Sequence, residues 1–294
     1  MDSLDFSGLG VALITPYKAD NTIDFESLEK IIEHIIGGGA DYIVVLGTTG
    51  EASLLTAGER KAVKDYVRTK TAGRVPLVLG YGGNNTRELV EGLAEEDLNG
   101  FHAILSVAPF YVKPTQEGLY RHYQELASHS PLPVILYNVP GRTSCNLSAE
   151  TTLRLAHDCP NIVAVKEASG NMSQIEEILN RKPDGFHVLS GDDGIALPLM
   201  ALGASGVISV IGNAYPNDFS KMIHWCIDGN FEEARKIHHK YLDIIRLLFI
   251  DGNPAGIKSL MSHLGYGTSR VRLPLVEVSE TTSERIHKEI SKIG

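Results

Sequence analysis

Eight short runs rich in aliphatic and β-branched residues recur along the chain, and this repetition constrains the fold more than any other feature. They are GVALI (10–14), YIVVLG (42–47), PLVLG (76–80), FHAILSV (101–107), PVILYN (133–138), IVAVKE (162–167), FHVLSG (186–191) and GVISVIG (206–212). Between them lie segments of helical period. In Phe25 to Ile36, residues Leu28, Ile31, Ile32 and Ile35 share one face, and Gly37-Gly38-Gly39 supplies a stop. Similar stretches follow at roughly 56–72, 86–98, 116–129, 149–158, 172–181, 193–202 and 216–228. Strands alternating with helices imply parallel pairing through right-handed crossovers. Eight such units with near-continuous apolar strands predict an α/β fold, a (β/α)8 TIM barrel, with a doubly wound open sheet as the runner-up.

The strand signals cease after residue 229. Residues 230–250, 253–264 and 281–292 read as helices. The chain therefore divides into a barrel over 1–229 and a C-terminal helical appendage over 230–294. With no low-complexity linker between them, the appendage is expected to pack on the barrel.

Composition narrows the function. The 294 residues are 43% hydrophobic and 21% charged, enough for a sizeable core. A net charge of −9 argues against binding nucleic acid or an anionic membrane by bulk charge, so an anionic substrate would need a local positive site. Cys145, Cys159 and Cys226 are odd in number and widely spaced, which disfavours a disulfide framework or a zinc site. His238-His239 lies in a polar stretch and reads as a solvated helix face. The start MDSLDFSGLG lacks the basic-then-apolar pattern of a signal peptide, and no stretch has the apolar length of a membrane span. These features predict a cytoplasmic protein.

In a barrel of this kind the chemistry gathers at the C-terminal ends of the strands. Strand two runs into Gly47-Thr48-Thr49-Gly50-Glu51, strand four into Pro109-Phe110-Tyr111, strand five into Tyr137-Asn138-Val139-Pro140-Gly141-Arg142-Thr143, and strand seven into Ser190-Gly191-Asp192-Asp193. Strand six ends in Lys166, the one lysine that closes an apolar run. Removing an ammonium from water is costly, and burial favours the neutral amine, a nucleophile that forms Schiff bases with carbonyl compounds. The alternative is a lysine that snorkels to solvent.

The other signals also have two readings. Thr48-Thr49 between glycines is an anion nest or a tight strand-to-helix turn. Tyr137 is a reacting hydroxyl or a half-buried strand tyrosine. Arg142 is a surface arginine or, beside Lys166, a fork for a carboxylate. Asp192-Asp193 caps the following helix. Gly80-Tyr81-Gly82-Gly83 follows a strand, but Asn85 stands where a dinucleotide loop needs its third glycine, and no GK[ST] loop or metal cluster occurs.

GTTGE (47–51), PFYVKPTQEGLY (109–120), YNVPGRT (137–143) and KEASG (166–170) resemble, in residues and spacing, the signatures of the dihydrodipicolinate synthase family. That family lies within the class I aldolase superfamily of N-acetylneuraminate lyase, and the resemblance covers essentially the whole chain. It implies 4-hydroxy-tetrahydrodipicolinate synthase activity, a Schiff-base condensation of pyruvate with L-aspartate 4-semialdehyde on the diaminopimelate route to lysine. It implies no cofactor and a homo-oligomer, either a dimer or a tetramer. Lys166 matches the Schiff-base lysine. Thr48, Tyr137 and Tyr111 match a proton-relay triad, with Tyr111 supplied by the neighbouring subunit. Thr49, Gly191 and Ile208 match the pyruvate pocket, and Arg142 matches the residue that holds the semialdehyde carboxylate.

Asn84, Glu88, Phe110 and Arg60 match positions around an effector crevice. Phe110 lacks a tyrosine hydroxyl, while Ala57 and Arg60 replace histidines, so inhibition by lysine is expected to be weak or absent. The alternative activity is a pyruvate-dependent sugar-acid aldolase of the N-acetylneuraminate lyase or 2-keto-3-deoxygluconate type, which would have less use for Arg142. A phosphate-binding barrel isomerase would need glycine-rich loops after strands seven and eight, and Gly191 and Gly212 suggest these only weakly. A non-catalytic protein on this fold would have lost the lysine or the triad.

Overall fold

The computed structural model describes residues 5–293. Residues 1–4 and 294, at the outer ends of the two units and of the stretch read for a leader, lie outside it. Eight parallel strands close into a barrel in chain order: β1 (Gly8–Ala12), β2 (Tyr42–Val45), β3 (Leu77–Gly80), β4 (Ala103–Val107), β5 (Val134–Asn138), β6 (Ile162–Glu167), β7 (His187–Ser190) and β8 (Gly206–Ser209). The crossovers carry α1 (Phe25–Gly37), α2 (Ala57–Thr71), α3 (Thr86–Glu95), α4 (Gln116–His129), α5 (Pro140–Thr143), α6 (Ala149–Asp158), α7 (Met172–Arg181) and α8 (Ala196–Ala201), and α9 (Pro216–Ile227) follows β8. The eight strand–helix units expected from the sequence are present. β1 is displaced towards the N-terminus, because the amide of Ile14 leaves the ladder for the Asn213 side chain. The short α5 was not anticipated.

The strands read as continuous apolar runs because both of their faces are covered. Tyr42, Val44, Leu105, Ile135, Tyr137 and Ile208 are among the side chains that fill the barrel interior. Their neighbours Ile43, Val45, Ile104, Leu136 and Val207 face the helices. Several helices start at an Asp, Asn, Ser or Thr that accepts a backbone N–H three residues on: Asp24, Thr56, Thr115, Ser148, Asn171 and Asn230. Each such cap is worth about 1 kcal/mol. Closure brings β8 against β1 so tightly that a Cβ at Gly206 would lie 2.2 Å from the Gly8 carbonyl oxygen.

Of the remaining helices, α10 (Phe231–Leu247) packs on α8 and α9, α11 (Ala255–His263) on the turn after β8, and α12 (Glu280–Ile293) on α10 and α11. Tyr241 donates to Asp218 at 2.7 Å. Lys258, fully buried, pairs with the equally buried Glu51 of the loop after β2, donates to the Arg270 carbonyl and stacks over the Tyr17 ring. Burial pushes the Lys258 ammonium down to about 8 against the opposing pull of Glu51. Arg272 forks onto Glu59, whose carboxyl this contact holds down to about 2. His238 corrects the sequence reading of a solvated pair. It packs into the core on the face of α10 that also carries Ala234, Tyr241 and Ile245, while His239 is exposed.

Candidate active site

Lys166 reaches the barrel interior because β6 contains one extra residue. Val134 pairs with Ile162, but Ile135 pairs with Ala164, leaving Val163 as a bulge. Ile162 faces the helices. With strict alternation, 164 and 166 would face them too. The bulge inverts the phase, so Ala164 lines the interior and Lys166 follows it.

The Lys166 side chain is 6% exposed, and its Nζ lies 4.4 Å from the centroid of the Tyr137 ring, its cross-strand partner on β5. Gly191 makes room for it. A Cβ there would lie 2.6 Å from the Ala168 Cβ and 3.2 Å from the Lys166 Cε. Ile208, almost fully buried on β8, belongs to the same interior wall.

The loop after β2 is a tight turn, with Gly50 N–H bonded to the Gly47 carbonyl and Glu51 N–H to the Thr48 carbonyl, each at 3.1 Å. Thr15 ties it to the β1 loop by donating to the Gly50 carbonyl at 2.7 Å. Thr48 is exposed, whereas Thr49 is buried and accepts a 3.0 Å bond from the Asn253 amide. The Asn253 carbonyl in turn accepts from an Arg142 Nη at 3.1 Å. Arg142, on α5 at the rim, is thus joined to the Thr49 turn through a residue of the appendage. Sequence reasoning missed Asn253, which is 204 residues from Thr49 and lies in no motif.

Asp192 caps the turn after β7 as expected, accepting from Gly194 N–H at 2.8 Å. Asp193 does not share that role, which corrects the sequence reading. It is buried and accepts the amides of Val210 and Ile211 at 2.9 and 3.0 Å, pinning the loop after β8. Two inward-pointing backbone donors bind it more firmly than the single free amide at the start of the turn. Burial pushes its carboxyl up.

Tyr111 stands apart from the lysine. Its side chain is 88% exposed on a backbone at φ +71, and its amide bonds to the Thr143 carbonyl at 3.3 Å. Phe110 and Val112 beside it are also exposed. Of the crevice residues, Asn84 accepts the Phe110 amide at 2.7 Å, Glu88 is exposed, and Arg60 turns back to the Leu55 carbonyl at 2.6 Å. The chain thus groups Lys166, Tyr137, Gly191 and Ile208, joins Thr49 to Arg142, and leaves Tyr111 in solvent.

A buried amine and a phenol inside a parallel barrel, with an arginine at its C-terminal rim, define a barrel enzyme whose chemistry sits at that mouth. The chain belongs to the dihydrodipicolinate synthetase family, whose model matches residues 5–293. It is 50% identical over 294 residues to the 4-hydroxy-tetrahydrodipicolinate synthase of Parabacteroides distasonis, covering 100% of this chain and 99% of that one. Among solved structures, the dihydrodipicolinate synthase of Aquifex aeolicus superposes with a TM-score of 0.93 at 42% identity, covering 98% of both chains. A monomeric dihydrodipicolinate synthase variant superposes at 0.95 with 34% identity, covering 98% of this chain and 97% of that one. The family and the synthase activity that the motifs imply are both borne out by these likenesses.

The packing around Gly191 makes a direct prediction. Gly191→Ala should leave the barrel folded but displace the lysine side chain, because the Ala168 Cβ cannot yield. Turnover should fall at least about tenfold, the effect of roughly 1.4 kcal/mol in the barrier. Steady-state kinetics together with circular dichroism check this, and full activity in the folded variant would contradict it.

Proposed function

We propose that the chain condenses pyruvate with L-aspartate 4-semialdehyde through a Schiff base on Lys166. The observation that carries this reading is the placement of Lys166, buried against Tyr137 with the space at Gly191 beside it. The amine adds to the pyruvate ketone, and the carbinolamine oxygen takes up a proton and leaves as water, giving an iminium. The iminium withdraws electrons, so the pyruvate methyl gives up a proton and becomes an enamine carbon. That carbon attacks the aldehyde, forming the new C–C bond. Hydroxyls suit the proton transfers because each both donates and accepts, and Tyr137, whose ring centroid lies 4.4 Å from the amine, is the first member of the relay. Thr48 is the next member of the relay, and Thr49 lies at the pyruvate carboxylate. The covalent lysine does the work of an electron sink, so no cofactor enters the scheme.

Arg142 selects the aldehyde through its carboxylate. It is exposed at the rim, and its Nη–Asn253 contact leaves the remaining guanidinium donors for a ligand. A sugar-acid aldolase would have less use for this charge at the rim. The reading places the chain in the cytoplasm, in keeping with three free cysteines. Among the described residues no helix is long and apolar enough to cross a membrane.

The test is a condensation assay with each aldehyde in turn. The semialdehyde should be consumed with pyruvate faster than N-acetylneuraminate is cleaved, and the reverse order would end the synthase reading. A charge-assisted contact is worth roughly 1.5–3 kcal/mol. Arg142→Ala should therefore raise KM for the semialdehyde about tenfold or more with a smaller change for pyruvate. In the same assay, lysine below about 1 mM should not reach half-inhibition, since that would need roughly 4 kcal/mol of binding from a crevice lacking the Phe110 hydroxyl.

The Ala108–Pro114 loop extends this reading to a homodimer, in which Tyr111 completes the relay of a second copy. Three adjacent large apolar residues in solvent form the kind of patch that association covers. Mixing inactive Tyr111→Phe chains with inactive Lys166→Ala chains should restore activity in mixed dimers. Verified mixed dimers without activity would remove Tyr111 from the partner's site.

A further inference from the structure

We propose that Glu167 is a positioning residue for aldehyde selection, acting through the closed loop that carries Arg142. The inference rests on the reading of Arg142 given above. Glu167 follows the reactive lysine but points the other way, out of the barrel and under α7. It is fully buried, and all four contacts to its carboxylate come from neutral donors. The Asn138 amide bonds to both oxygens at 3.1 Å, the Gln174 amide to Oε2 at 2.9 Å, and the Ser169 N–H to Oε1 at 2.8 Å. Burying a carboxylate among neutral donors is costly, and each donor it orders offsets part of that cost.

These donors grip both ends of one loop. Asn138 closes β5, and its side chain holds residues 146 and 147. Its Oδ1 accepts Leu147 N–H at 2.9 Å, and its amide also reaches Asn146 Oδ1 at 2.8 Å. Gln174 Oε1 accepts the Asn146 amide at 2.8 Å. Segment 138–147 is thereby tied into a ring with Arg142 near its tip. Thr143 fills the ring from inside, bonding to the Cys145 carbonyl at 2.8 Å.

The network has a fixed polarity. Leu147 N–H can only donate, which sets the Asn138 oxygen towards it and the Asn138 amide towards Glu167. Ser169 N–H can likewise only donate. Position 167 must therefore accept on both oxygens, as a carboxylate does and a carboxamide cannot. Turning one amide over to relieve a clash only passes the conflict to the next, until it meets a backbone donor. The pyruvate side is held by other groups, since Lys166, Tyr137 and Gly191 make none of these side-chain bonds.

Glu167→Gln supplies the test, with Asn146→Ala as a milder break at the exposed edge of the same network. Both variants should form the borohydride-trapped pyruvate adduct at the wild-type rate. Both should raise KM for the semialdehyde, about tenfold for the Gln variant, with KM for pyruvate within about twofold. Hydrogen exchange supplies a readout independent of the reaction. Amides of 139–147 should lose protection in either variant, while those of β6 keep theirs. Unchanged exchange in 139–147, or an equal rise of both KM values, would overturn the proposal. If exchange loosens as expected and wild-type chains do not condense the semialdehyde, the function reading fails and the positioning of the loop stands.

Discussion

The orientation of one side chain depends on a single extra residue. β6 carries the bulge at Val163, and everything C-terminal to it changes face relative to β5. Lys166 then enters the barrel, and Glu167 enters the space under α7. A regular strand would reverse both placements. It would put an ammonium among the helix-facing aliphatics and a carboxylate in the barrel interior, each a charge without its present surroundings. The bulge is thus the device that makes one strand serve two networks, one inside the barrel around Lys166 and one outside it around Glu167.

The mouth is held from a second direction by the appendage. Residues 253–258 bond to Thr49 through Asn253 and to Glu51 through Lys258. Glu51 itself adopts φ +55, an unusual conformation for a residue with a side chain, and Leu46 before it, together with Tyr111, Lys113 and Ser144 in the loops after β4 and β5, shares that region of φ. Conformations of this kind cost on the order of 1 kcal/mol each and persist where surrounding contacts over-determine them. The buried Lys258–Glu51 pair is one such determinant. Breaking a pair of this kind leaves an uncompensated buried charge, at a cost of about 3–5 kcal/mol. The C-terminal helices therefore belong to the architecture of the mouth.

The fold was legible because barrel strands, buried on both faces, write themselves as uninterrupted apolar runs, and the caps between them are local signals. Lys166 was legible because a charge ending such a run stands out. Its direction was not. Ile162, Val163, Ala164 and Val165 are all apolar, so the sequence has no alternation from which to read a phase, and the bulge leaves no mark. Asn253 and Lys258 were hidden because their partners are more than 200 residues away, a distance at which only folding reveals a contact. His238 was misread because a polar stretch on an amphipathic helix still turns one face inward. Tyr111 was found by its motif, yet one chain alone leaves it in solvent.

In the proposed mechanism the bulge-directed amine of Lys166 is the covalent centre. Peptide mapping after pyruvate and borohydride treatment tests it most directly. One reduced pyruvate per chain is expected, on the peptide containing Lys166, with the buried Lys258 unmodified. An adduct on any other lysine, or none in active protein, would contradict it.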